Sequence, residues 1–390
     1  MPVAGAHRGS QALPVPLSGL PRQSPMPDLS AIARQFAFPG EILFVREYGT
    51  GNVNETYLVR VTGGQSIPDF ILQRLNPQVF PEPEQIMHNL RVLEGHVRPK
   101  LRAHPNRRWE LPIIIPTRTG ADYYRDEAGA FWRAQTFIAG TESFATIASE
   151  AQAEEAGRAL GFFHALIHDL PAHLLHDTLP GFHVTPGYLA GYGALAAAPP
   201  RPDSSAEALF CHRFIAERKE AAEVLEAARL RGELLPCPIH GDPKPANILF
   251  ARDTGQAVSL IDLDTVKPGL LHYDIGDCLR SCCNPAGEDA PLSEISFNLA
   301  YCAAILRGYL PQVAPFFSRF DYRYIYDAVR LIAFELGLRF FSDHLAGDVY
   351  FRIRRPGQNL HRAMAQFALC RSIEAQEPEI REIVRDFQKP

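Results

Sequence analysis

The sequence is short of several things, and each shortage excludes a class of protein. Its 390 residues contain only seven cysteines, an odd number without paired spacing. A disulfide framework is therefore excluded, and a reducing cytoplasm is the expected setting. No run approaches the ~18 consecutive apolar residues of a membrane-spanning helix. The opening stretch, MPVAGAHRGSQALPVPLSGLPRQSPMP, is broken by prolines and has no continuous apolar segment, which argues against a secretory signal. Positive charge is not in excess either: 39 Lys and Arg stand against 44 Asp and Glu, a net charge of −5. A dedicated nucleic-acid binder would show a basic domain or stripe. No G-x4-G-K-[ST] segment occurs, so a Walker-type phosphate loop is excluded.

What the chain does have is enough apolar material for a large core, 46% hydrophobic against 21% charged residues. Its length suits two or three lobes of roughly 150 residues each. The 33 prolines exceed a usual share. Several fall in residues 1–27, a Pro/Gly/Ser-rich stretch expected to be a flexible tail. Beyond it, ILFVREY, ETYLVRV and DFILQRL read as consecutive strands separated by glycine turns, an antiparallel meander. The segment PEPEQIMHNLRVLEGHV then repeats Ile86, Leu90, Leu93 and Val97 at helical spacing. Two further strand-like runs, ELPIIIPT and AFWRAQTFI, close a lobe expected over 28–137.

From residue 138 to the end the pattern turns helical. Helices are expected near 149–170, 205–231, 294–310, 322–346 and 359–376, with a strand pair, NILF and AVSLIDLD, in their midst. The fold class expected is α+β: a small antiparallel-β lobe with one helix, then a large, mainly α lobe carrying a β-hairpin.

The sharpest chemical signal is CPIHGDPKPANILF, residues 237–250, followed by the acidic strand end Ile261-Asp262-Leu263-Asp264. Phosphoryl transfer needs a carboxylate to accept the proton of an acceptor hydroxyl. It also needs hard oxygen ligands to hold Mg2+ against the phosphates. Asp242 is the candidate base. Asn247 and Asp262 are candidate metal ligands, with Asp264 beside them, and Lys244 is placed to reach a γ-phosphate. In the first lobe, GTGNVNETYLV offers a glycine turn between strands where backbone N–H groups approach phosphates closely. Gly49, Gly51, Asn52, Asn54 and Thr56 are its candidate nucleotide-binding residues.

These segments resemble the catalytic and metal loops of the protein-kinase-like superfamily, in the branch of aminoglycoside and choline phosphotransferases. The resemblance implies a two-lobed kinase fold that uses ATP and Mg2+ on a small-molecule alcohol, with no obligatory protein partner. It places the hinge for adenine at Gln135, Thr136, Phe137 and Ile138. The strand lysine of such kinases is missing: Gln73 stands at its position, and Arg74 is the neighbouring cation, on the opposite strand face. FILQRLNPQVFPEPEQIMHNL, IDLDTVKPGLLHYDIGDCLRS and ELGLRFFSDHLAGDVYFRIRRPGQNLHRAMAQF narrow the resemblance to bacterial N-acetylhexosamine 1-kinases. It then implies phosphorylation of an anomeric hydroxyl, with Arg339 and Tyr350 holding the sugar and His183 a further cleft residue. It also makes Asp274 and Asp277 braces of the catalytic loop.

Alternatives from the same residues are a kinase of an aminoglycoside or choline-like alcohol and a nucleotide-binding pseudokinase. Glu335, Arg339 and Asp343 follow one another at i, i+4 and i+8, and form either a solvated ion-pair row or the edge of a pocket. His272 with Cys278, Cys282 and Cys283 lacks zinc-site spacing, and the cysteines read as small buried hydrophobes.

Overall fold

The computed structural model describes residues 28–49, 53–63, 69–104 and 107–388. The expected tail, Gly51 and Asn52 lie outside them. The meander forms as β1 (Ile42–Glu47), β2 (Glu55–Val61) and β3 (Phe70–Arg74). It is extended by the short β4 (Ile114–Ile115) and β5 (Tyr124–Arg125) and by β6 (Phe131–Thr136). All pair antiparallel in the order β1-β2-β3-β6-β4, with β5 on the end of β6. Period-2 alternation sorts the two faces. Tyr57, Val59, Val61, Phe70, Leu72, Trp132 and Ala134 bury one face under a short N-terminal helix, α1 (Leu29–Ala33), and Phe36. The other face, which carries Thr56, Gln73 and Arg133, turns toward the second lobe.

The helix expected within the first lobe is α2 (Pro83–Leu101). Its apolar stripe, Ile86, Met87, Leu90, Leu93 and Val97, joins the large core of the helical lobe rather than the small core under the sheet. The hydrophobic partition thus cuts across the expected boundary at residue 137.

The second lobe is built on α3 (Glu150–Ile167), α4 (Thr185–Ala197), α5 (Ala206–Arg218), α6 (Val224–Leu230) and α7 (Leu271–Cys282). It continues with α8 (Leu299–Val313), α9 (Arg319–Arg323), α10 (Ile325–Ala346), α11 (Gln358–Glu374) and α12 (Glu377–Asp386). Among them run β7 (Thr141–Glu142), β8 (Cys237–Ile239), β9 (Ile248–Ala251), β10 (Ala257–Leu260) and β11 (Lys267–Gly269). The expected hairpin is β9–β10, and β7 adds a third strand to it. A second small ladder, β8–β11, carries the entry to the catalytic segment.

The helix starts follow side-chain chemistry. Ser149, Ser205 and Asn298 cap α3, α5 and α8 by accepting from the N–H groups of Gln152, Ala208 and Tyr301. The helix expected over 205–231 is broken by a 3-10 turn at Lys219–Glu223. At the break, Arg218 turns onto Glu374 of α11 and covers the Phe214 ring, so α5 follows α11 while α6 departs. Cys278, Cys282, Cys283 and Cys302 are buried in the core, and no cluster of three or more potential metal ligands exists among the described residues. No helix among them is long and apolar enough to cross a membrane.

The centre of the lobe is the close crossing of α3 and α8. A Cβ added at Gly157 would fall 2.0 Å from the carbonyl oxygen of Ile305, and one at Gly308 would fall 2.0 Å from that of Glu154. Backbone meets backbone here, so no side chain can move aside. Gly157→Ala is expected to cost about 3 kcal/mol in urea unfolding through overpacking. An unchanged unfolding midpoint would contradict this packing.

Candidate active site

The segment after β8 is held in place before it holds anything else. The carboxylate of Asp274, on α7, accepts from the backbone N–H groups of His240 and Gly241 at 2.6 and 2.8 Å and from His164 Nε2 at 2.8 Å. Burial pushes this carboxyl up, but His164 and the N–H donors more than reverse that and keep it ionised. Asp277, expected beside it as a second brace, pairs with Arg280 instead. Gly241 has φ +90°, and a Cβ there would meet Thr265 O at 2.7 Å, so the loop lies directly against the acidic turn. Thr265 Oγ1 donates to His240 O at 2.8 Å, and His240 Nε2 donates to Ile261 O at 3.1 Å.

Within this frame Asp242, Lys244 and Asn247 converge. Asp242 Oδ2 accepts from Lys244 Nζ at 2.6 Å and from Asn247 Nδ2 at 3.0 Å. Asn247 Nδ2 also donates to the carbonyl of Asp242 at 2.8 Å. Its amide nitrogen is thus spent, and the amide oxygen is the atom left for a cation. Asp262 begins the next turn in the left-handed region, φ 63°, where a non-glycine residue is strained. Its carboxyl is pushed upward by the protein packed around it, then by Asp264 and Asp242, with Lys244 and Arg133 opposing. Solvent reaches Asp262 and screens part of this repulsion. A divalent cation between Asn247 and Asp262 would relieve the rest. Two hard oxygen donors on adjacent loops fit Mg2+, which keeps waters and takes phosphate oxygens as further ligands.

Asp264 occupies a different place from the one expected. Its Oδ1 lies 2.5 Å from Arg133 Nη1, and its Oδ2 accepts from Asn54 Nδ2 at 2.8 Å. Both oxygens are engaged and the side chain is 2% exposed, which removes Asp264 from the metal ligands and makes it a bridge between the lobes. Asn54 is likewise corrected: its Nδ2 donates to Asp264 and its Oδ1 accepts from Asn76 N at 3.1 Å, so its amide ties the loop to the turn and to the end of β3.

Gln73 Nε2 donates to Thr56 Oγ1 at 3.0 Å, and Gln73 Oε1 accepts from Arg133 Nε and Nη2 at 3.0 and 2.8 Å. Arg74 pairs with Glu55 on the other, exposed face. Arg133 escaped the sequence reading. Its signal was an arginine in the middle of an apolar strand, Phe131-Trp132-Arg133-Ala134, and only the strand register shows that it faces Gln73.

At the hinge, the N–H groups of Thr136 and Phe137 donate to the carbonyls of Ile113 and Asp69, and Gln135 sits within the β6 ladder. Among the described residues Ile138 N–H has no acceptor, which makes it the candidate hinge donor. Tyr48, next to Gly49, packs edge-on against the Phe137 ring at 5.7 Å.

His183, expected to face the cleft, is buried, with φ +66°. Its Nε2 donates to Gly241 O at 2.8 Å and its Nδ1 donates to Glu335 Oε1 at 3.0 Å. No ring nitrogen remains for a substrate, so His183 braces this loop through a carbonyl, where Asp274 braces it through N–H groups. Glu335 also accepts from Thr185 Oγ1 at 2.6 Å. Asp343 accepts from the N–H groups of Val349, Tyr350 and Phe351 and from Asn359 Nδ2, which shapes the loop carrying Tyr350. The polar stripe of α10 is therefore neither solvated nor an ion-pair row. Between its two acids, Arg339 has no carboxylate partner among the described residues. Its guanidinium sits 5.0–5.8 Å from the ring centres of Phe182, Tyr188, Tyr350 and Phe351. Burial opposes its charge, and Tyr188, Tyr350, Glu335 and Asp242 sustain it.

Residues 45–316 match the phosphotransferase enzyme family (APH). The chain belongs to that family. It is a phosphotransferase that acts on a hydroxyl group. Its fold is similar to that of an aminoglycoside phosphotransferase from Alicyclobacillus acidocaldarius, with TM-score 0.59 and 15% identity over 94% of this chain and 98% of that one. A choline kinase from Cryptosporidium parvum aligns with TM-score 0.59 and 13% identity over 93% and 99% of the two chains. A microcompartment-associated aminopropanol kinase aligns with TM-score 0.55 and 16% identity over 90% and 98%. At such identities the likeness concerns the fold: a β-sheet lobe on a helical lobe, as expected.

The His183–Glu335 pair gives this phosphotransferase a pH dependence. Burial alone would push the imidazolium down; Glu335, with Asp277 and the Gly241 carbonyl, more than reverses this and raises the pKa. A raised folded value means the stabilisation is complete below about pH 6.5 and is lost as pH rises through the folded pKa. The unfolding free-energy gap between wild type and His183→Asn is therefore expected to shrink as pH rises above about 6.5. A gap that widens with pH would contradict the charged pair.

Proposed function

We propose that this phosphotransferase uses ATP and Mg2+ to phosphorylate a neutral sugar, at the anomeric hydroxyl of an N-acetylhexosamine. The observation that carries this reading is Arg339, a half-buried, unpaired cation boxed by four aromatic rings, whose charge and that of Asp242 act on each other. The fold neighbours are named for aminoglycoside, choline and aminopropanol substrates. A cationic acceptor of that kind would bring its charge to where Arg339 already stands among the rings. A pyranose brings an apolar face for Tyr350 or Phe182 and oxygens for a guanidinium that has five N–H donors.

The chain's own residues divide the work. Asp242 Oδ2 is occupied by Lys244 and Asn247, which turns Oδ1 to the acceptor as the oxygen that takes the hydroxyl proton. Lys244 holds its positive charge against the other oxygen, Oδ2. Ile138 N–H would take the adenine edge and the Gly49 turn would approach the phosphates. Asn247 and Asp262 would hold the cation. Bound ATP and Mg2+ supply the transferable phosphoryl group and the charge that neutralises its oxygens. His183 and Asp274 keep the loop backbone from shifting as the proton moves.

Three measurements test this. ADP release is expected with GlcNAc or GalNAc and not with choline, ethanolamine or kanamycin; turnover confined to the cationic alcohols would overturn the sugar reading. Arg339→Ala is expected to raise the sugar KM by about 10- to 100-fold, the loss of a charge-assisted hydrogen bond, with the ATP KM little changed. Equal effects on both would place Arg339 outside the acceptor pocket. Asp242→Asn is expected to lower kcat by about 100- to 10,000-fold while nucleotide affinity stays close to wild type, and surviving activity would remove Asp242 as the base.

A further inference from the structure

The positive charge missing from β3 reappears one strand away. Thr56, Gln73 and Arg133 stand directly opposite one another on β2, β3 and β6, so their side chains form one row on one sheet face. The row ends at Asp264, two residues from the candidate metal ligand Asp262. The row is continuous: Gln73 donates to Thr56 and accepts from Arg133, Arg133 forms an ion pair with Asp264, and Asp264 accepts from Asn54. Helix α2 offers this row nothing, because Glu84 pairs with Arg125 and Glu94 with Arg91. The cation on this sheet face is thus paired across the lobes and not with a carboxylate of α2.

We propose that Arg133 is a positioning residue for the metal turn. Its guanidinium is fixed by Gln73 and holds Asp264, and through it the strained Asp262 turn, in register with Asn247. The arrangement ties the nucleotide lobe to the cation site without a carboxylate from α2, whose Asn89 instead donates to Val266 O at 3.0 Å just past the turn. This rests on reading Asn247 and Asp262 as cation ligands. Asp264 and Arg133 have side chains only 2% exposed, so removing either one leaves the other's charge buried without a partner.

The test reads MgADP binding by calorimetry, which does not depend on the acceptor. Arg133→Gln is expected to weaken MgADP binding at least about 30-fold, as truncation of a buried charge pair does. The transposed pair, Gln73→Lys with Arg133→Gln, is expected to regain at least tenfold of that loss, because positions 73 and 133 face each other on the same sheet face and a lysine side chain from β3 reaches toward the same carboxylate. The control Gln73→Met with Arg133→Gln is expected to regain none. Wild-type MgADP affinity in Arg133→Gln, or a transposed variant no better than the single one, would overturn the proposal. Should Arg133→Gln fold poorly, Asp264→Asn keeps the shape and removes the charge: weaker MgADP binding supports the proposal and unchanged binding overturns it. Weakened and rescued MgADP binding in a protein that phosphorylates no hexosamine would uphold Arg133 and sink the sugar reading, so the two fail separately.

Discussion

The buried pair of Arg133 and Asp264 is the constraint on which the site's geometry depends. Taking both charges out of water costs several kcal/mol per ion, and their attraction offsets this only with good geometry and further hydrogen bonds. The structure supplies them: Gln73 accepts from two nitrogens of Arg133, and Asn54 donates to the second oxygen of Asp264. An ion pair flanked by hydrogen bonds from Gln73 and Asn54 is a specific device rather than a general adhesive. It fixes where the sheet stands over the acidic turn, and with that the distance between the first lobe and the candidate cation ligands.

A second set of buried groups performs the same service for the base. Asp274 holds the catalytic loop by its N–H groups, and His183 holds it by a carbonyl. The loop is clamped through its backbone, which leaves the side chains of Asp242, Lys244 and Asn247 to face one another. Asp343 repeats this logic on the acceptor side, where its carboxylate gathers the N–H groups of residues 349–351 and so presents Tyr350 and Phe351 to Arg339. Three buried carboxylates, Asp264, Asp274 and Asp343, therefore shape the cleft, while Asp242 and Asp262 are the candidates for the proposed chemistry.

The catalytic segment and the two-lobed order were legible because both are local. Spacing within 237–250 brings Asp242, Lys244 and Asn247 together over a single loop, and periodicity separates sheet from helices. What was hidden depends on register and burial. Nothing in FILQRLN says that Gln73 faces Arg133, since that follows from the pairing of β3 with β6. Asp262 and Asp264 look alike as sequence, yet one faces solvent and the other is sealed against the first lobe. His183 resembled a cleft residue until both its nitrogens were accounted for. Helix α4 went unseen because Thr185–Ala197 carries three glycines and a proline, and α12 because Ile380 and Val384 are its sole buried apolar positions in a strongly charged segment.

The account stands or falls on where the phosphate goes. Phosphorus NMR of a reaction containing this protein, ATP, Mg2+ and an N-acetylhexosamine reads that directly. A base held at Asp242 beside a neutral-sugar pocket predicts a new phosphate ester resonance coupled to a single anomeric proton. A resonance coupled to the two protons at carbon 6, or no ester from a sugar while a cationic alcohol is phosphorylated, would contradict it.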